Sequence, residues 1–309
     1  MVESSKAWMG YFCVAMAALL WASSGVAGKG LLVSGVSVME LVQARITLAT
    51  LLLGMALGLG ARGLLGIRLR DLPYLFLVGL FMALNNATYF YAISRIQVAA
   101  AILLQYLAPV LVAVYAMFFW KERASLAKGM ALALALGGCY LVVGGYSLEL
   151  LGMNQDGILG GLGAAICFAV YTLLGEKGMY RYTPWTVLFY ASFFASIIWH
   201  LLAEPFQYLR GGLEIHHWVW LLYIALMGTV LPFGLYFLGV NYIRSTRAII
   251  TATLEPISAA GISLVFLGET LEWLQVLGGV LVIMAVTALQ LDREGQGLTP
   301  EIIRVGSRS

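Results

Sequence analysis

YFYAISRIQVAAAILLQYLAPVLVAVYAMFFWKE (89–122) and YFLGVNYIRSTRAIITATLEPISAAGISLVFLGE (236–269) lie over one another without a gap, at an offset of 147 residues. Tyr89 meets Tyr236, Phe90 meets Phe237, Ile96 meets Ile243, Ala101 meets Ala248 and Leu107 meets Leu254. Further along, Pro109 meets Pro256, Phe119 meets Phe266 and Glu122 meets Glu269. The same offset brings GYFCVAMAALLWA (10–22) onto GILGGLGAAICFA (157–169). The two halves of the chain therefore follow one plan. The sequence predicts repeats over 1–147 and 148–291, then a polar tail over 292–309.

Each half is written for lipid. The 309 residues are 61% hydrophobic and 11% charged, with mean hydropathy +0.91; soluble domains carry about 25% charged residues. Apolar runs of membrane length recur throughout, because about 20 residues at 1.5 Å rise cross the hydrocarbon. Ten spans are expected, near 8–30, 37–60, 73–94, 97–119, 125–146, 157–178, 184–204, 217–240, 245–268 and 272–291. Gly, Pro or charge marks the breaks, as in KERAS, LGMNQDG, YRYTP and GET. Five spans per repeat is an odd number, so the second repeat enters the membrane from the opposite side. The expected fold is all-α and integral to the membrane, ten helices in two inverted five-helix repeats. The first span lacks a cleavage signature and is expected to be retained.

Charge orients the bundle. With ten spans, Lys6, Arg62, Arg68, Arg70, Lys121, Arg181, Arg247 and Arg293 share a side, facing Lys29, Arg95 and Arg210 on the other. Basic residues favour the cytoplasm, so both termini are expected there. The net charge of +3 then follows from topology and does not call for a nucleic-acid partner. Cys13, Cys139 and Cys167 fall inside spans as small apolar residues. His200, His216 and His217 lack metal-ligand spacing. No P-loop, nucleophile elbow or zincin pattern occurs, so neither an enzyme, a cofactor nor a bound metal is expected. Inverted repeats instead point to a secondary transporter, with its site near the midplane between them.

AALLWASSGVAGK in the first span, LLQYLAPVLVAVYAMFFWKE and ATLEPISAAGISLVFLGE resemble the drug/metabolite transporter superfamily, in its ten-helix EamA-type branch. The resemblance implies a central cavity lined by spans 1, 3, 4, 6, 8 and 9, and small organic cargo: amino acids, other metabolites or cationic drugs. Lipid and a small-molecule substrate would be the partners, with protons or a counter-substrate supplying the gradient.

TLEPIS (253–258) sets an acid beside a proline in the middle of a span. Glu255 either couples cargo or protons in the cavity or bonds a neighbouring helix; its repeat mate is Ala108, so the fold itself does not demand an acid there. Pro256 and Pro109 lack an N–H and release the carbonyls of Ala252 and Gln105. Kinks follow there, as hinges or as fixed bends. Thr251, Glu255 and Ser258 are spaced for one helical face. Trp21, Asn85, Asn86, Tyr89, Gln105, Tyr106, Tyr171 and Tyr236 are the remaining candidates for cargo contact. Several aromatics around one acid would also suit a quaternary amine. Arg45 reads as structural, pairing locally, snorkelling or answering a buried group. Gly129, Gly137 and Gly278 permit close packing of spans five and ten, within the chain or in a homodimer. Amino-acid or metabolite export is the leading reading, organic-cation transport the second. A non-transporting scaffold or channel is the reading of another class.

Overall fold

The computed structural model describes residues 2–108, 110–111, 126–142, 144, 146, 148–210 and 212–292. Helices follow one another: α1 Val2–Val33, α2 Val38–Gly60, α3 Leu72–Arg95, α4 Val98–Gln105, α5 Leu126–Val142 and α6 Leu148–Met179. They continue as α7 Pro184–Leu202, α8 Ile215–Ala225, α9 Leu231–Ala252, α10 Leu254–Leu267 and α11 Trp273–Asp292, with a π-helical turn at Leu226–Val230 joining α8 to α9. Among the described residues six helices are long and apolar enough to cross a membrane, and Gly129–Val142, Leu254–Leu267 and Trp273–Ala288 are shorter apolar helices. The chain is an all-α integral membrane protein. Pro109 and Glu122 lie outside the described residues.

Two expected breaks differ. LGMNQDG (151–157) is helical and extends the start of α6. The boundary between spans eight and nine falls inside α9. The chain nonetheless reverses: a Cβ on Gly10 would meet Ile243, whereas Phe266 and Leu267 line a groove with Gly30 and Leu31. Twenty helical residues, roughly 30 Å, separate those two points of α1.

Contacts recur at the sequence offset. A Cβ on Gly10 would lie 2.6 Å from Ile243, and one on Gly157 lies 2.6 Å from Ile96. Gly28 admits the ring of Phe90 as Gly175 admits that of Phe237. So α1 packs on α9 as α6 packs on α3, each across the repeats. Glycines hold these crossings because a side chain would force apart helices that pack mainly by close van der Waals contact.

Polar clasps close both ends. At one, Asp71 accepts from Arg181 Nη1 at 3.0 Å and from the Tyr182 hydroxyl at 2.6 Å. Burial, then the bond to Asp71, pushes the Tyr182 phenol up. At the other, Lys29 Nζ donates to the carbonyls of Ile93 at 2.6 Å and Ile96 at 2.8 Å, at the C-terminal end of α3. Glu269 lies 3.5 Å from Lys29 and accepts the Val98 amide at 2.9 Å, at the start of α4. A cation at a helix C-terminus and an anion at an N-terminus both suit the helix dipole.

The close approach of α5 and α11 is made within one chain: a Cβ on Gly278 would lie 2.7 Å from both the Gly138 carbonyl and Leu141 Cβ. Gly278→Leu should therefore lower stability by about 1–3 kcal/mol through overpacking. Gly129→Ala, with nothing within 4 Å of its added Cβ, should change it little. Thermal unfolding of the two variants in detergent measures the difference.

Candidate functional site

Pro232 and Pro256 explain the geometry at the centre. Each lacks the N–H that would close the helical turn, so the carbonyls of Gly228 and Ala252, four residues earlier, are left without their usual donors. A carbonyl orphaned in a membrane interior is costly. The Tyr106 hydroxyl, from the turn ending α4, donates to Ala252 at 2.5 Å. Arg45, from the middle of α2, donates through Nη2 to Gly228 at 2.6 Å and through Nε to the Thr229 hydroxyl at 2.6 Å. The π-helical turn belongs to the same arrangement: the Leu231 amide reaches back to Leu226. Such turns frequently mark functional sites.

Around these anchors lies a tight cavity of about 30 Å³, lined by Trp21, Ser24, Gly25, Arg45, Asn85, Asn86, Tyr89, Gln105, Tyr106, Phe168, Phe233 and Glu255. Glu255 is 5% exposed and lies 3.0 Å from the Tyr106 hydroxyl. Gln105 Nε2 donates to Asn85 Oδ1 at 2.7 Å, and Asn86 Nδ2 donates to the Met82 carbonyl at 2.8 Å, which fixes the amides. Arg45 is 3% exposed and stands 4.9 Å from the centre of the Phe90 ring. No carboxylate lies within 4 Å of it among the described residues. Trp21 Nε1 and Ser24 Oγ are buried without a hydrogen-bond partner.

Seven sequence candidates line the cavity: Trp21, Asn85, Asn86, Tyr89, Gln105, Tyr106 and Glu255. Tyr171 and Tyr236 stand behind it, fully buried, with Tyr236 5.2 Å from Trp21 and Tyr171 stacked on Phe237 at 5.5 Å. Thr251 lies outside the lining. Helix α9 ends at Ala252 and α10 begins at Leu254, so the register that would align Thr251 with Glu255 is broken at Thr253. Pro256 is buried at the start of α10, directly after this break. Its released Ala252 carbonyl is met by the Tyr106 hydroxyl.

Ser24, Gly25, Arg45, Phe168 and Phe233 are the lining residues that sequence reasoning missed. Glu40, five residues before Arg45, closes a capping box with Ser37 at the start of α2. Two of the five were within reach of the repeat: Phe168 is the mate of Trp21, and Phe233 the mate of Asn86. A second cavity of about 490 Å³ lies at the Lys29 end, lined by Lys29, Arg95, Glu269, Glu272 and Gln275 among others. Leu104 lines it and the adjacent Gln105 lines the central one.

An all-α bundle with a polar cavity walled by both halves defines a membrane transporter. The EamA-like transporter family profile matches residues 8–144 and again 155–290, and the chain belongs to that family. An "uncharacterized transporter" of Archaeoglobus fulgidus is 32% identical over 222 residues, 71% of this chain and 78% of that protein. The threonine/homoserine exporter RhtA of Salmonella typhimurium is 28% identical over 235 residues, 73% of this chain and 74% of RhtA. A solved crystal structure superposes with TM-score 0.61 at 21% identity, covering 95% of this chain and 99% of that one. That likeness concerns the fold.

The carbonyl anchor is testable by a double-mutant cycle. Tyr106→Phe should cost about 1–3 kcal/mol, as for a buried polar group losing its donor. In a Pro256→Ala background the new amide can serve Ala252, and the same substitution should cost clearly less. Denaturation of the four proteins gives the coupling energy. Equal costs in both backgrounds would reject the anchor.

Proposed function

We propose that this chain is a secondary active transporter of the inner membrane, both termini cytoplasmic, exporting small organic metabolites by alternating access between repeats 1–147 and 148–291. Amino acids and related compounds are the leading cargo. The observation that carries the reading is the Glu255 carboxylate, buried in a cavity walled by α1–α4, α6, α9 and α10. A charge at that depth costs on the order of 2.5–3.5 kcal/mol on insertion scales and marks substrate or ion pathways. The family match to each half and the likeness to the exporter RhtA support it. The wider cavity beyond Gln105 offers the exit.

Transport of organic cations is the second reading. It is favoured by Trp21 beside Phe233 at 4.9 Å and Phe168 at 6.4 Å. Against it, the rings already pack on one another, with Trp21 edge-on to both. A homodimer through the open faces of Gly129 and Gly137 is compatible with either reading and required by neither.

Purified protein in sealed vesicles should accumulate labelled amino acid under an imposed proton gradient, with saturable kinetics. A channel would equilibrate its cargo and a scaffold would move none. Glu255→Gln should leave the folded particle intact in size-exclusion chromatography and flatten the pH profile of transport, with Arg45, Tyr89 and Tyr106 the other ionisable groups on the cavity wall. Wild-type rate and pH profile in that variant would return Glu255 to a structural role.

A further inference from the structure

We propose that Arg45 reads the carboxylate of a zwitterionic cargo, with Glu255 receiving the ammonium, so that the central cavity takes α-amino acids in preference to amines. The inference rests on the transporter reading and narrows its substrate class. Arg45 is 3% exposed, lines the cavity and has no carboxylate within 4 Å among the described residues. Its hydrogen bonds use Nε and Nη2, toward Thr229 and Gly228. A guanidinium carries five donors, and Nη1 has no acceptor among the described residues.

Anchoring alone does not account for the charge. The equivalent task at Ala252 is done by the neutral hydroxyl of Tyr106. A neutral donor would have served Gly228 without bringing a cation into the membrane interior, where cations are rare and pair or line pathways. The planar fork of arginine matches a carboxylate. Trp21 Nε1 and Ser24 Oγ, both buried and unpartnered on α1, are further donors on the cavity wall. The anchors at Gly228 and Ala252 hold Arg45 and Tyr106 in place, with Glu255 3.0 Å from the Tyr106 hydroxyl. A cargo with an acid and an amine on one carbon satisfies both walls. A quaternary amine satisfies Glu255 and is repelled by Arg45.

The full chain in detergent is tested by thermal shift with L-amino acids, each beside its carboxamide, its N-acetyl form and choline. Ligand stabilisation grows with concentration over the dissociation constant. The wild type should bind the amino acid about 10–100-fold more tightly than the carboxamide, the range for one charge-assisted hydrogen bond. Arg45→Gln should bring acid and amide to similar affinity, while Arg45→Lys keeps a weakened preference for the acid. If Arg45→Gln does not fold, the wild-type panel and the lysine variant decide. Equal binding of acid and amide by the wild type, or a full preference retained in Arg45→Gln, overturns the assignment. Vesicles that transport the amide or choline without preferring the acid would keep the transporter and remove the role of Arg45. Vesicles that move none of the panel, with no thermal shift, would overturn both.

Discussion

Two backbone carbonyls organise the centre of this protein. Pro232 and Pro256 each delete an amide, and in lipid a carbonyl without a donor must be answered by protein. The donors come from α2 and from the end of α4, both in the first half of the chain, while both carbonyls belong to the second. The two halves are thus pinned together by bonds neither could make alone. The π-helical turn, the break at Thr253 and the position of Glu255 all follow from these two pins.

The pins make the repeats unequal. Offset by 147 residues, Trp21 corresponds to Phe168, Asn86 to Phe233, Arg45 to Ser192 and Ser24 to Tyr171. The first half contributes most of the polar wall, and the second contributes aromatic rings and the acid. Symmetry is kept where packing requires it, as when Gly28 receives Phe90 and Gly175 receives Phe237. It is dropped where a cavity needs chemically different sides. A duplicated scaffold can hold an asymmetric site because the helix crossings depend on glycine positions, which the lining side chains do not share.

Much of the fold was legible, because periodic composition and one constant offset are global signals that tolerate local error. The centre was legible where a residue type breaks its context. Glu255 and Pro256 stand out in an apolar run, and the freed Ala252 carbonyl follows from the absent amide alone. Arg45 reads from the sequence as structural, with answering a buried group among its alternatives, but which group was not legible: its partners lie more than 180 residues away in sequence, and only the fold brings Gly228 to α2. Thr251 was placed on the Glu255 face because an unbroken helix was assumed across Thr253. Trp199, near the end of a span, is buried at 8% exposure. The amide of Gln43 donates to the Trp199 carbonyl at 3.1 Å and draws that end of α7 onto α2.

Why the two charges do not simply collapse onto each other is a question of anchoring. An ion pair between Arg45 and Glu255 would offset part of the cost of burying each. Arg45 is instead committed to Thr229 and Gly228, and the Tyr106 hydroxyl, 3.0 Å from Glu255, to Ala252. The glycine at 228 is necessary for this: a Cβ there would sit 1.9 Å from Ser24 Oγ and push α1 from the π-helical turn. Moving Arg45 toward Glu255 would orphan the Gly228 carbonyl in the membrane interior, at about 1–3 kcal/mol for a buried group left unsatisfied. The backbone breaks introduced by two prolines thereby give Arg45 a carbonyl partner that keeps it from pairing with Glu255 on the same cavity wall.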